Sequence, residues 1–230
     1  MSIEENYKRV QDGIADACAA SGRNTDEITL IAVTKFVPVE RIAPAIALGV
    51  RSVGENRAQE LTQKLDFFRS SGCSVHFIGQ LQTNKVKYII GQADLVQSVD
   101  RIQLAQEMER QAGKHSVIQD ILVQVNIGHE VQKGGIEERN LAEFLYSMAD
   151  MPHLNVKGLM CVPPALDEQE AVPYFARMRK LFEQCKSIPG VSMQHLSMGM
   201  SGDYKAAIRE GATMVRVGSA LFGARMQTGI

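Results

Sequence analysis

Ile28-Thr29-Leu30-Ile31-Ala32-Val33-Thr34-Lys35 is the stretch whose reading decides the fold. Six of its eight residues read as a strand buried on both faces, rich in β-branched side chains, as in a parallel sheet covered by helices. The run then stops at a lysine. An ammonium that closes a buried strand loses hydration unless something pairs with it. A lysine so placed is a snorkelling side chain, a salt-bridge partner or a reactive amine. Desolvation favours the neutral amine, which can form a Schiff base with an aldehyde.

Outward from this strand the chain alternates. Residues 3–20 repeat Ile3, Tyr7, Val10, Ile14 and Ala17 at helical spacing, and Gly22 ends that helix. After the strand, Pro38 opens a second helix. Further strands are expected at 52–56, 75–79, 94–99, 118–126, 156–162, 194–198 and 214–217. Helices are expected between them at 57–70, 84–91, 100–112 (capped by Asp100), 137–149, 170–186 and 203–210, with a short one ending near Phe222-Gly223. Eight strands, each followed by a helix and with no linker or low-complexity tract, predict a closed (β/α)8 barrel. A doubly wound open sheet is the alternative, but it usually carries a Gly-x-Gly-x-x-Gly turn after its first strand, and none is present.

Composition narrows the function classes. The 230 residues are 45% hydrophobic and 22% charged, with a net charge of −1. There is no basic field for nucleic acid or an anionic membrane, and no apolar run approaches a membrane span. The acidic N-terminus lacks the order of a signal peptide, so a cytoplasmic protein is expected. Cys18, Cys73, Cys161 and Cys185 are scattered without a Cys-x-x-Cys and read as reduced buried thiols, so no metal site is expected.

In a barrel the functional residues gather at the C-terminal ends of the strands. There the sequence places Lys35, Glu55-Asn56, Gln80, Gln82, Asn84, Asn126, Ser197 to Ser201 and Arg216 before Gly218-Ser219. Gly199-Met200-Ser201 and Gly218-Ser219 each offer backbone N–H groups or a hydroxyl just before a helix, after strands 7 and 8, where barrels often hold phosphate. Ordinary helix capping is the competing explanation. Arg216, inside a short buried strand, needs an acceptor: either a carboxylate such as Glu55 or a ligand. His76 and His195 read as hydrogen-bonded core residues with no chemical role. Lys85, Lys87 and Lys133 read as solvated, and the eleven methionines as core filler.

Several motifs run in order from Ile28 to Arg225. They are Ala32-Val33-Thr34-Lys35, Gly54-Glu55-Asn56, His76-Phe-Ile-Gly-Gln-Leu-Gln-Thr-Asn-Lys85, Gly158-Leu159-Met160, Leu196-Ser-Met-Gly-Met-Ser201 and Val215-Arg-Val-Gly-Ser-Ala-Leu-Phe-Gly223. Together they resemble the pyridoxal phosphate homeostasis proteins, also called the proline synthetase co-transcribed family. Val75 departs from the pattern, standing where members often carry Trp, at a position that looks structural.

The resemblance implies a single domain over residues 1–230. That domain would be a TIM barrel like the alanine racemase N-terminal domain, with an extra N-terminal helix and no second β domain. Its cofactor would be pyridoxal 5'-phosphate, bonded through its aldehyde carbon to Lys35 as an aldimine. Ser201 with backbone groups of Gly218 and Ser219 would hold the phosphate. Arg216 would face the pyridine nitrogen, and Asn56 and Met198 would line the ring's pocket. The implied role is intracellular vitamin B6 homeostasis and supply of the cofactor to apo pyridoxal-phosphate enzymes met transiently, by a monomer with no assigned catalytic residue. An amino-acid racemase-like enzyme is the alternative, and a barrel aldolase acting on a phosphorylated sugar stands further off.

Overall fold

The computed structural model describes residues 2–130 and 133–223. The last residues of the expected domain, 224–230, with Arg225 of the motif span, lie outside the described residues, as do Met1, Val131 and Gln132.

Helix α1 (Ile3–Ser21) comes first. The Ser2 hydroxyl accepts from the Glu5 N–H at 3.1 Å, and the Glu5 carboxylate accepts from the Ser2 N–H at 2.7 Å. This reciprocal cap satisfies two donors that a helix start leaves open. Gly22, at φ 67°, ends it in the left-handed conformation. The helix lies against the last turns of the chain: Asn6 Nδ2 donates to the Leu221 carbonyl at 3.0 Å. A Cβ on Gly13 would stand 2.1 Å from the Tyr204 hydroxyl, so the close approach needs a glycine there.

The barrel follows as β1 (Thr29–Val33), α2 (Val39–Ala47), β2 (Ser52–Glu55), α3 (Ala58–Ser70), β3 (Ser74–Phe77), a 3-10 segment (Thr83–Tyr88), β4 (Leu95–Val99), α4 (Ile102–His115), β5 (Gln119–Val125), α5 (Glu138–Ser147), β6 (Leu154–Cys161), α6 (Glu168–Cys185), β7 (His195–Ser197), α7 (Tyr204–Arg209), β8 (Met214–Val217) and α8 (Ser219–Phe222). Each strand pairs in parallel with the next, and β8 closes on β1 in the register Ile31 to Arg216. This closure rules out the open doubly wound sheet. Among the described residues every strand belongs to this one barrel.

Two expected details differ. The crossover after β3 is 3-10 rather than α-helical; only Val86 of its residues is buried, too little apolar surface to hold several α-helical turns. Asp100 does not cap α4, whose cap position is Arg101. Its carboxylate instead pairs with Arg101 at 2.6 Å and accepts from the Gly135 N–H at 3.3 Å.

The strands' alternation builds two apolar layers. Ala32, Val53, Val75, Val96 and Val217 face the helices and join the large outer core. Ile31, Leu95, Leu122, Met160 and Met214 fill the barrel interior. The inner plug closes the barrel below its C-terminal rim, as in a packed (β/α)8 core. All four cysteines are buried free thiols, as expected. No helix is long and apolar enough to cross a membrane among the described residues.

Candidate functional site

Barrel closure brings the expected residues onto four adjacent strand ends. Ser201 follows β7, Arg216 and Gly218-Ser219 end β8, Lys35 follows β1 and Asn56 follows β2. Lys35 is half-buried, two residues past β1. Gly218 lies beside β1, where a Cβ would meet the Val33 Cβ at 3.3 Å. The Thr34 N–H donates to the Gly54 carbonyl at 3.0 Å and ties the lysine's segment to β2.

The turn after β7 is built around Gly199. It has φ +91°, and a Cβ there would stand 2.5 Å from the Ala207 Cβ. Its carbonyl accepts from the Arg216 N–H at 3.0 Å, which fixes the turn to β8. The Ser201 hydroxyl then accepts from the N–H groups of Gly218 at 3.1 Å and Ala220 at 3.2 Å. The two glycine-bearing turns are therefore one unit, with a hydroxyl and two convergent backbone donors. Such a donor set suits an anionic oxygen.

Arg216 is 4% exposed and points its hydrogen bonds inside the barrel. Nη1 donates to Ser197 Oγ at 2.6 Å and Nη2 to the Cys161 carbonyl at 2.7 Å. The expected alternative, an ion pair with Glu55, is not formed: Glu55 is bound by Lys64 and Thr34. Burial pulls the Arg216 guanidinium below its usual range, opposed by Cys161 and Asp203. A buried cation with only neutral direct partners is costly for stability alone, which marks Arg216 as a candidate ligand-facing residue.

Asn56 carries a buried side-chain oxygen, Oδ1, without a hydrogen-bond partner. It also lines a cavity of ≈ 500 Å³ between α3 and the 3-10 segment, with Arg57, Lys85, Tyr88 and the expected rim residues Gln80 and Gln82; Lys35, Ser201 and Arg216 do not border it. Met198 is fully buried and belongs to the core between strands and helices, so it backs the site from outside the barrel. The buried cation, the orphan amide oxygen and the hydroxyl with its paired N–H groups together fit a planar ligand carrying an acceptor atom and an anionic group.

Lys64, Glu60 and Gln97 matter here and were not singled out by the local sequence, and His76 was read there only as a core residue. Lys64 on α3 donates to the Thr34 carbonyl, to Glu55 and to Glu60, and Glu60 accepts from the Phe36 N–H. The backbone on both sides of Lys35 is thereby held. The one signal in the sequence was Glu60 four residues before Lys64, a common surface pairing. His76 and Gln97 lie in a buried polar chain below Arg216. His195, the first residue of β7, joins no hydrogen bond of that chain among the described residues. Lys85 and Lys87 are exposed beside Tyr88, as expected of solvated residues. Lys133 is not simply solvated: its ammonium bonds the Pro163 carbonyl at 2.7 Å and Glu130 at 2.6 Å, because the loop after β5 folds back on the one after β6. No cluster of His, Cys, Asp or Glu could hold a metal ion among the described residues.

Known proteins share this chain's fold and much of its sequence. The family model described as "Alanine racemase, N-terminal domain" matches residues 3–226. The pyridoxal phosphate homeostasis protein of Aquifex aeolicus is 42% identical over 226 residues, covering 98% of this chain and 99% of the relative. The crystal structure of an unknown protein from Bifidobacterium adolescentis superposes with a TM-score of 0.89 at 33% identity, covering 95% of this chain and 94% of that one. PipY of Synechococcus elongatus, solved with PLP bound, superposes at 0.79 with 33% identity, covering 91% of this chain and 100% of that one. With near-full-length identity at this level and a barrel of the matching family, the chain belongs to the pyridoxal phosphate homeostasis protein family.

Proposed function

We propose that this chain binds pyridoxal 5'-phosphate at the C-terminal rim of the barrel and serves vitamin B6 homeostasis, holding the cofactor and supplying it to apoenzymes. The observation that carries the reading is the arc across β7, β8, β1 and β2. It joins an amine, an anion-binding turn and a buried cation that no carboxylate contacts. Relatives named for this role and PipY with its bound PLP support it.

When bound, the cofactor supplies an aldehyde that an amine captures reversibly, and Lys35 is the amine the rim offers. Ser201 and the N–H groups of Gly218 and Ser219 hold the phosphate. Asn56 lines the ring's pocket, and Met198 backs it. Arg216 has donors only, so it keeps the ring nitrogen it faces unprotonated; a second cation at that range is repelled. A neutral ring is a weak electron sink, which favours holding the cofactor over racemase-like chemistry. Four buried free thiols suit the reducing cytoplasm, where a monomer would meet apoenzymes transiently.

The test is the absorbance spectrum of the purified protein and of Lys35→Ala, each with added pyridoxal phosphate, before and after borohydride. The parent should show the visible band of the lysine-bound cofactor, lost on reduction, and Lys35→Ala should lack it. A parent that develops no band overturns the proposal. Exchange of amino-acid α-protons at a catalytic rate by the loaded parent would favour the racemase-like alternative.

A further inference from the structure

A line of hydrogen bonds crosses the barrel interior below the rim. Arg216 Nη1 meets Ser197 Oγ at 2.6 Å, and Ser197 Oγ meets Gln97 Oε1 at 2.7 Å. Gln97 Nε2 meets His76 Nδ1 at 2.9 Å, and His76 Nε2 meets Ser74 Oγ at 3.1 Å. These side chains come from β8, β7, β4 and β3, and Arg216, Ser197, Gln97 and His76 are all buried. They thread an interior otherwise filled by Ile31, Leu95, Leu122, Met160 and Met214.

Proton directions follow from the chemistry. A guanidinium only donates, so Ser197 Oγ accepts from Arg216 and gives its own proton to Gln97 Oε1. The amide nitrogen of Gln97 only donates, so His76 Nδ1 accepts, and the imidazole carries its proton on Nε2 toward Ser74. Every bond points the same way, from Arg216 to Ser74. Burial agrees, holding the His76 imidazole neutral by pushing its pKa down to about 4. A buried polar network of this kind is favourable only when each member is satisfied, so a change at one end is felt at the other.

We infer that Ser197, Gln97 and His76 are positioning residues for Arg216: a one-way donor chain that fixes the guanidinium in a single orientation and commits it to donate toward the rim. With Nη2 tied to the Cys161 carbonyl as well, the guanidinium cannot swing to follow a ligand. The ligand atom facing it must then be an acceptor, which selects an unprotonated ring nitrogen. That last step rests on the proposed cofactor site; the coupling of Arg216 to His76 does not.

The experiment separates the two. In the cofactor-free protein, imidazole nitrogen NMR should show His76 as the neutral Nε2–H tautomer. Arg216→Gln and Ser197→Val should each shift that signal, and Ser197→Thr, which has the same shape as valine but restores the hydroxyl, should return it. In protein given pyridoxal phosphate, Ser197→Val should move the bound cofactor's band and speed its loss roughly tenfold, the scale of one hydrogen bond to a charged group, with Ser197→Thr near the parent. A His76 signal identical in parent, Arg216→Gln and Ser197→Val overturns the chain, as does equal behaviour of the Thr and Val variants. Coupling in a parent that binds no cofactor would uphold the chain and overturn the cofactor site alone. Should Ser197→Val not fold, Arg216→Gln in the cofactor-free protein decides on its own: it shifts the His76 signal, or the inference fails.

Discussion

Lys64 Nζ lies 2.8 Å from the carbonyl oxygen of Thr34, the residue before Lys35, so an ammonium on α3 holds the backbone that carries Lys35. The same ammonium meets Glu55 Oε1 at 2.8 Å and Glu60 Oε2 at 3.4 Å. Glu60 Oε2 in turn accepts from the Phe36 N–H at 2.7 Å, and Phe36 sits at φ 60°, an uncommon conformation for a non-glycine residue. One cation and two carboxylates thus clamp the turn from both sides.

Lys64→Met is expected to destabilise the protein by roughly 3–5 kcal/mol, because it strands a buried carboxylate. Glu55 is fully buried, and burial already pushes its carboxyl above the usual range, opposed by its bonds to Lys64 and Thr34. The double variant Lys64→Met with Glu55→Gln should recover most of the loss in urea unfolding. It should still capture pyridoxal phosphate more slowly than the parent, since the turn has lost its anchor. Capture at the parent's rate would show that the clamp does not hold Lys35 in place.

Gly79, in the turn after β3, is where the Asn56 backbone passes. A Cβ there would stand 2.2 Å from the Asn56 carbonyl oxygen and 2.7 Å from its Cα. Backbone cannot yield as a flexible side chain does, so Gly79→Ala should cost about 1–3 kcal/mol or more and displace Asn56. Thermal unfolding would record the first effect and weakened cofactor retention the second. A variant with the parent's stability and retention would mean that the turn relaxes freely.

His76 titrates near 6.5 when unfolded and near 4 in the folded chain, because burial disfavours the imidazolium; Asp94 opposes this and His195 adds to it. Between those values the unfolded state binds more protons. Its contribution to stability is therefore fully present above 6.5 and is lost as the pH falls toward 4, on the order of 3 kcal/mol across the window. Urea midpoints of the parent and His76→Gln from neutral to acidic pH would test this. The parent's curve should fall more steeply, and parallel curves would assign the acid sensitivity to other groups.

Ser201→Ala removes the oxygen that gathers the Gly218 and Ala220 N–H groups. If this turn holds the phosphate, affinity for pyridoxal phosphate should fall about tenfold while affinity for pyridoxal, which lacks the phosphate, barely changes. Equal losses for both ligands would place the serine's role elsewhere.

How much of this was legible depended on the range of the interaction. The strand ending at Lys35, the alternation of eight strands with helices and the glycine-bearing turns after strands 7 and 8 are written in neighbouring residues, as periodicity and backbone preference. The sequence alone therefore determined the barrel class and most of the rim. Where local signals were weak, as in the crossover with only Val86 buried, even the helix type was missed.

Only the tertiary structure decided which partners met. Arg216 had an equally good local case for Glu55 or for a ligand. Closure of β8 onto β1 and β7 gave it Ser197 and the Cys161 carbonyl, while α3 brought Lys64 to Glu55. The clamp around Lys35 spans 30 residues, and the Gln97–Ser197 link of the donor chain spans 100. Contacts at such separations follow from how strands pair and helices pack against them. Nothing in the spacing of adjacent residues encodes them, so they exist only once the barrel is closed.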